Sequence, residues 1–341
     1  LWFHFGARWT GGDAPSAKSL SLTLRHTGTL LGGGQPETMR PVVQVEGDDW
    51  TRLGAPVVQQ EPDGQKLVSW DVVPAPYEIE VAWCFPYGPE SVDALISDCN
   101  GYWKVDSIGV SQAGRAMRRL SNSYGETDPD RPGVFCTAQQ HSGETSGAWV
   151  LDGFLRRIAE ISDDAPLIWA IPTANIDGVV DGDYGKDPFP HDLNRAWGQP
   201  PMRHETLVMQ QDIRRWMERC RPSLAIDFHA PGACENSGAY LFLPRKDVDE
   251  EQKRVARIWA ERLGSWLPDE IRADPFSIVP DYPSRWPGGA IGGYLAGVHG
   301  VCGMTIETPY SMVGDHVLTR TDYQNAGASL ADGLADHLSG S

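Results

Sequence analysis

A chain of 341 residues with 46 acidic against 29 basic side chains carries a formal charge of −17 at neutral pH. A field of that sign repels phosphate backbones and anionic lipid surfaces, which sets nucleic acid and membranes aside as partners. No apolar run approaches the ~20 residues that a membrane span requires. With 40% hydrophobic and 22% charged residues, the composition is that of a globular protein long enough for two domains or one large one.

Cys84, Cys99, Cys136, Cys220, Cys234 and Cys302 are scattered without a CxxC pair. They read as mostly buried free thiols, which favours a cytoplasmic location. The chain opens at Leu1 rather than at Met, which leaves room for a removed leader.

Two textures divide the sequence, and we expect domains over residues 1–91 and 92–341. The first is rich in Gly and Pro. It holds the short alternating segments Leu20–Leu24, Val42–Val45, Leu67–Val73 and Ile79–Phe85, separated by turn clusters such as Gly32–Pro36 and Pro62–Gly64. Short strands with frequent turns predict an all-β sandwich. Beyond residue 92, strands and helices alternate. Val134–Ala138, Pro166–Ile171, Leu224–Phe228, Tyr240–Leu243 and Val301–Glu307 read as buried strands, and Ala148–Ile161, Glu205–Cys220, Glu250–Leu267 and Gly289–Val298 as helices. That order predicts an α/β unit: a mostly parallel or mixed sheet with helices on both faces.

Three residues with chemical potential end predicted strands: His141 after VFCTAQQ, His229 after LAIDF and Glu307 after MTI. Loops converge at strand carboxyl ends in such sheets, so residues distant in sequence can meet there. His141-Ser142-Gly143-Glu144 is an HxxE element whose Ser-Gly centre suits a tight turn. Two histidines and one carboxylate form the donor set of a catalytic zinc with a fourth position left for water. Asp192-Leu193-Asn194-Arg195 sets a guanidinium beside an amide, a pairing suited to carboxylate capture. Taken singly, each element also reads as ordinary loop chemistry, with Arg195 paired to Asp192 or Glu307 as a rim carboxylate.

Taken together and in order, the elements resemble the zinc metallocarboxypeptidase family, closest to the cytosolic carboxypeptidase branch and its bacterial relatives. QHSGETS at Gln140–Ser146 is similar to the branch's HPGE(T/S) metal element. ANIDGV at Ala174–Val179 is similar to its NPDG turn, and DLNRAW at Asp192–Trp197 to its DLNR-aromatic element. Asp227-Phe228-His229 and Thr305–Thr308 are similar to its D-x-H and T-x-E-(T/S) elements, and Ile108–Arg115 (IGVSQAGR) resembles the strand and turn ahead of the core. Trp2-Phe3-His4-Phe5 and Trp83-Cys84-Phe85-Pro86-Tyr87 resemble segments of the β-sandwich that precedes the catalytic domain, so the likeness spans nearly the whole chain.

The resemblance implies a carboxypeptidase-like fold, with a mixed, mostly parallel sheet of the eight-stranded type flanked by helices, one Zn2+ per chain held by His141, Glu144 and His229, and Glu307 as the base for the attacking water. It implies that Asn194 and Arg195 bind the free carboxylate of a peptide or protein substrate, with Asp192 hydrogen-bonded to a ligating histidine. One departure stands out. The branch has GNYRCSLxGxDLNR where Gly182–Arg195 reads GDYGKDPFPHDLNR, so the oxyanion-stabilising arginine falls on Gly185. Lys186 is the nearest substitute, with Arg285 and His191 behind it. Tyr282, in the Gly/Pro-rich 281–289 stretch, is the candidate lid tyrosine. The altered loop keeps a second enzyme reading open, a zinc amidase or deacylase acting on a small N-acyl amino acid or modified peptide. A silent binding protein is a third reading, disfavoured by the intact ligand set. Oligomeric state has no signature in the sequence.

Overall fold

Alternating side chains in the amino-terminal quarter form two small antiparallel sheets. The computed structural model describes residues 1–11, 19–27, 35–62, 64–73, 76–123, 125–162, 165–186, 191–243, 249–280 and 288–339. Strands β1 (His4–Arg8), β7 (Glu78–Ala82), β3 (Val42–Val45) and β4 (Thr51–Arg52) lie side by side in that order. A three-stranded sheet places β6 (Lys66–Val72) between β2 (Leu20–Leu24) and β5 (Val57–Gln60). Along β6 the period is two: Val68, Trp70 and Val72 are buried while Asp71 is exposed. Val72 packs with Val43, Ile79 and Val81 of the other sheet, so the two sheets meet face to face.

The larger sheet has eight strands. In spatial order they are β14 (Arg272–Ile278), β13 (Ala239–Phe242), β15 (Gly303–Glu307), β12 (Arg221–His229), β10 (Pro132–Ala138), β11 (Leu167–Ile171), β9 (Ala116–Ser121) and β8 (Lys104–Val110). The central β11, β10, β12 and β15 run parallel to one another. The sheet turns antiparallel from β15 to β13 and from β11 through β9 to β8. It is the mixed α/β sheet that the alternating elements predict.

Strand alternation splits the core between the two faces. Val134, Cys136, Ile168 and Ala170 face one apolar cluster with the helices α2 (Thr145–Ile161), α5 (Glu250–Gly264) and α7 (Arg320–Ser339). Phe135, Leu167, Trp169 and Ile171 face the other, with α4 (His204–Met217) and α6 (Ile291–Tyr294). Burial on both faces explains why these strands read as continuous apolar runs. The proposed division at residue 91 falls inside α1 (Pro89–Asp98), and the core crosses it. Trp70, Trp83 and Phe85 share a cluster with β10 and α2.

The expected helix over 289–298 is α6 followed by one π turn at Leu295–His299, closed by Gly300 at φ +67°. The longest helix, α7, had no counterpart among the predicted elements. It lies against α2 with backbones in contact. A Cβ on Gly153 would stand 2.0 Å from the Gln324 carbonyl oxygen, and one on Gly327 1.9 Å from that of Val150. Either Gly153→Val or Gly327→Val should therefore force the helices apart and cost about 1–3 kcal/mol in denaturant unfolding. Gly293→Ala, where a Cβ meets nothing within 4 Å, should stay within about 1 kcal/mol of the parent.

Candidate metal centre

Parallel register brings the strand ends together. β12 ends on His229 and β15 on Glu307, and these two residues are direct cross-strand partners. Neighbouring β10 delivers the chain to His141 through Gln139, which takes φ +53°. The next turn is closed by Glu144 N–H donating to the His141 carbonyl at 3.1 Å. It is also strapped from both sides. Gln139 Nε2 donates to the Ser142 carbonyl at 2.9 Å, and Ser142 Oγ donates to the Asp183 carbonyl at 2.6 Å. Glu144 then leads into α2 as its N-cap residue, yet its carboxylate makes no cap and is turned toward the histidines.

His141, Glu144 and His229 are all buried, and each offers a ligand atom within 4.8 Å of the others. Glu144 Oε1 lies 3.0 Å from His141 Nδ1, and its Oε2 lies 2.6 Å from His229 Nδ1. The two Nδ1 atoms are 3.1 Å apart. Behind each ring stands a carboxylate. Asp192 Oδ1 is 3.0 Å from His141 Nε2, and Asp227 Oδ2 is 2.6 Å from His229 Nε2. These acceptors select the Nε2–H tautomer on both rings, so both Nδ1 lone pairs point inward. Two lone pairs and a carboxylate aimed at one buried point repel unless a cation lies between them. The donor set, two imidazoles and one carboxylate, therefore fits zinc.

With no ion between them, the same groups act directly on one another's charge. Burial disfavours the Glu144 carboxylate, but His141, Lys186 and His229 outweigh it and hold its pKa well below the usual range. Burial likewise opposes charge on His229, and Asp227 and Glu144 reverse that, raising its pKa well above an ordinary histidine's. Glu307 differs. Burial dominates and lifts its pKa to about 7, with His229 partly offsetting it. Its Oε2 is fully shielded and has no protein partner among the described residues.

The structure brings Lys186 onto the site. Its Nζ lies 2.6 Å from Glu144 Oε1. Burial opposes its charge, but Glu144, Tyr184 and Glu307 hold its pKa above the usual lysine range. Gly185, where the family's arginine would fall, has φ +90° and is pressed against the metal turn. A Cβ there would stand 2.6 Å from Ser142 N and 2.9 Å from His141 Cα, so no side chain fits without movement. His191 instead lines a polar hollow of about 330 Å³ with Asp177, Asp181 and Arg203. Tyr282 and Arg285 lie outside the described residues.

Asp192 caps the short 3-10 turn Leu193–Arg195, accepting from Asn194 N–H at 2.9 Å. The Asn194 amide stands 3.2 Å from His229 Nε2, and Arg195 Nη1 donates to the Asn194 carbonyl at 2.8 Å. Sequence reading missed the supports of Asp227. Thr137 Oγ1 donates to it at 2.7 Å and Gln140 Nε2 at 2.6 Å, and the Gln140 amide oxygen accepts from Trp197 Nε1 at 2.6 Å. Gln140 beside the HxxE element and the aromatic after DLNR were the available signals, but their contact is visible only in three dimensions.

A family model described as zinc carboxypeptidase matches residues 90–223, a stretch that includes His141, Glu144, Asp192 and Arg195. An uncharacterized protein of Zymomonas mobilis is 25% identical over 67% of this chain and 60% of its own length. Cytosolic carboxypeptidase 2 of Danio rerio is 28% identical over 74% of this chain and 39% of its own. The chain thus spans between 30% and 60% of the length of these curated relatives. Among solved structures, a metallo-carboxypeptidase from Burkholderia cenocepacia superposes with a TM-score of 0.78 at 18% identity, covering 100% of this chain and 90% of that one. A metallo-carboxypeptidase from Pseudomonas aeruginosa, in complex with (2-guanidinoethylmercapto)succinic acid, gives 0.74 at 22% identity, covering 99% and 90%. Those structures share the fold, the family's cofactor is zinc, and the His-Glu-His group can hold one. Residues 90–223 thus match a zinc carboxypeptidase domain, and the chain is similar in sequence to cytosolic carboxypeptidases and in fold to bacterial metallo-carboxypeptidases.

Proposed function

We propose that the chain is a zinc-dependent carboxypeptidase that removes the last residue of a peptide or protein. The observation that carries this reading is the convergence of His141, Glu144 and His229 within 4.8 Å, with Glu307 paired across from His229. Zinc held by those three residues would acidify a water toward pKa ~7 and polarise the scissile carbonyl. Glu307 accepts the proton of the attacking water and passes it to the leaving amine. Its buried, unpartnered Oε2 supports that role.

Lys186 supplies positive charge to the developing oxyanion in place of the arginine that Gly185 excludes. Arg195, with Asn194, receives the substrate's terminal carboxylate, and Tyr282 closes over it. Asp192 and Asp227 hold the ligating imidazoles in the required tautomer. No described helix is long and apolar enough to cross a membrane. The six cysteines are all free thiols, which supports action in the cytoplasm.

Glu307→Gln should lower turnover by ~10²–10⁴ at unchanged zinc content, measured on carboxy-terminally varied peptides. Amidating the terminal carboxylate should abolish cleavage; undiminished cleavage would move the reading to an amidase or deacylase. Lys186→Ala should reduce kcat by ~10²–10³ without zinc loss. Asp227→Asn or Asp192→Asn should weaken zinc ~10–100-fold in chelator competition, because an amide can satisfy the wrong tautomer. Unchanged affinity in both would remove the two aspartates from the centre.

A further inference from the structure

The amino-terminal segment reaches the metal turn. A Cβ on Gly143, between the ligands His141 and Glu144, would stand 2.7 Å from Trp2 Cβ, 2.8 Å from Trp2 Cγ and 3.0 Å from Tyr184 Cδ2. Trp2 and Tyr184 thus press on the same residue. Gly143 N–H also donates to the Tyr184 carbonyl at 3.1 Å. Lys186 follows two residues later, with Nζ 5.4 Å from the Tyr184 ring centroid and 2.6 Å from Glu144 Oε1.

Trp2 is itself held by the sandwich. Trp83 N–H donates to the Phe3 carbonyl at 2.9 Å, and His4 pairs with Ala82. The Phe3 ring meets the Trp83 ring at 5.9 Å, and Trp83 meets Tyr310 at the same distance. Trp2 is half-buried, packed against the main core on one side and lying on the Gly143 turn.

We propose that Trp2 is a positioning residue. From the amino-terminal sandwich it clamps the Gly143 turn against Tyr184 and holds the Tyr184–Lys186 loop with the ammonium over Glu144. The inference rests on the oxyanion role of Lys186 proposed above. A lysine places charge through four flexible methylenes, so its geometry depends on where the loop holds its backbone. Displacements near 1 Å at such a site can cost ~10²-fold in rate.

The full chain tests this in two independent ways, with Trp2→Ala and the ring-retaining Trp2→Phe. In zinc-free protein, an acylating amine reagent followed by peptide mass analysis reads the access of Lys186. Labelling should rise about tenfold in Trp2→Ala and stay within about twofold of the parent in Trp2→Phe. In zinc-saturated protein, Trp2→Ala should lower kcat about tenfold or more with KM unchanged. The same change made in Lys186→Ala should add nothing to the loss.

Unchanged labelling, or a Trp2 effect fully additive with Lys186→Ala, would overturn the proposal. If Trp2→Ala does not fold, Trp2→Leu carries both measurements with the same expected outcomes. A parent protein without carboxypeptidase activity would count against the functional reading, while the labelling result would still decide for or against the clamp.

Discussion

Everything in this molecule's chemistry depends on one electrostatic problem, the burial of Glu144. Its carboxylate is inaccessible to solvent and is faced by two imidazoles and an ammonium. A lone carboxylate moved into such surroundings would neutralise. Here His141, Lys186 and His229 reverse the shift, and the carboxylate remains charged. The arrangement is tolerable only if each imidazole is itself anchored, which Asp192 and Asp227 do. Asp227 in turn needs Thr137 and Gln140, and Gln140 needs Trp197. The fold is the device that delivers these groups. Adjacent parallel strands end together, so His141, His229 and Glu307 emerge at one edge of the sheet.

The second requirement is close approach of backbone to backbone, and small residues provide it. Gly147 sits where a Cβ would meet the His229 main chain at 2.7–2.8 Å, so α2 can start directly behind the site. Gly185 allows its loop to lie on the metal turn, and Gly288 lies on the DLNR loop, where a Cβ would stand 1.9 Å from the Arg195 carbonyl oxygen. The amino-terminal sandwich enters the same assembly. Arg52 donates to the Leu318 carbonyl at 2.6 Å and to Tyr323 Oη at 3.1 Å, and Arg40 N–H donates to Ser311 Oγ at 3.3 Å. These contacts tie the sandwich to the segment following Glu307, so it buttresses the site rather than hanging beside it.

These two requirements differ in how far the sequence reveals them. Elements with strong periodicity and bulky apolar faces were legible: β2, β3, β10, β11, β12, α2 and α5 lie where their patterns predict. The His-Glu-His group was legible only through the ordered motifs around it and their resemblance to a known family, since each residue taken singly reads as ordinary loop chemistry. What escaped is what depends on closeness. Helix α7 buries Tyr323, Ala326, Leu330, Ala331 and Leu334 and uses Gly327 to touch α2, so its hydrophobic stripe is too weak to announce itself. Strand β14 contains Asp274-Pro275, which argues against a strand on sequence grounds and suits only an edge position, where the sheet places it. Trp2, Tyr184 and Gln140 look like any aromatic or amide in one dimension. Their significance comes from partners scores of residues away.

The exchange at Gly185 joins the electrostatic and steric arguments. An arginine would bring a rigid fork with its own directionality, and its placement would tolerate some freedom in the backbone. At Gly185 the backbone lies so close to His141 and Ser142 that any side chain is shut out, and the positive charge is displaced to the next residue. A compact ammonium has no preferred plane, so orientation cannot come from the side chain and must come from the loop. The loop is tied to the metal turn by the Ser142–Asp183 and Gly143–Tyr184 hydrogen bonds, and Trp2 lies on the same turn at Gly143. On the roles proposed for Lys186 and Trp2, Gly185 sets two demands at once, a different cation and a tighter cradle to aim it. The sandwich is the part of the molecule placed to meet the second.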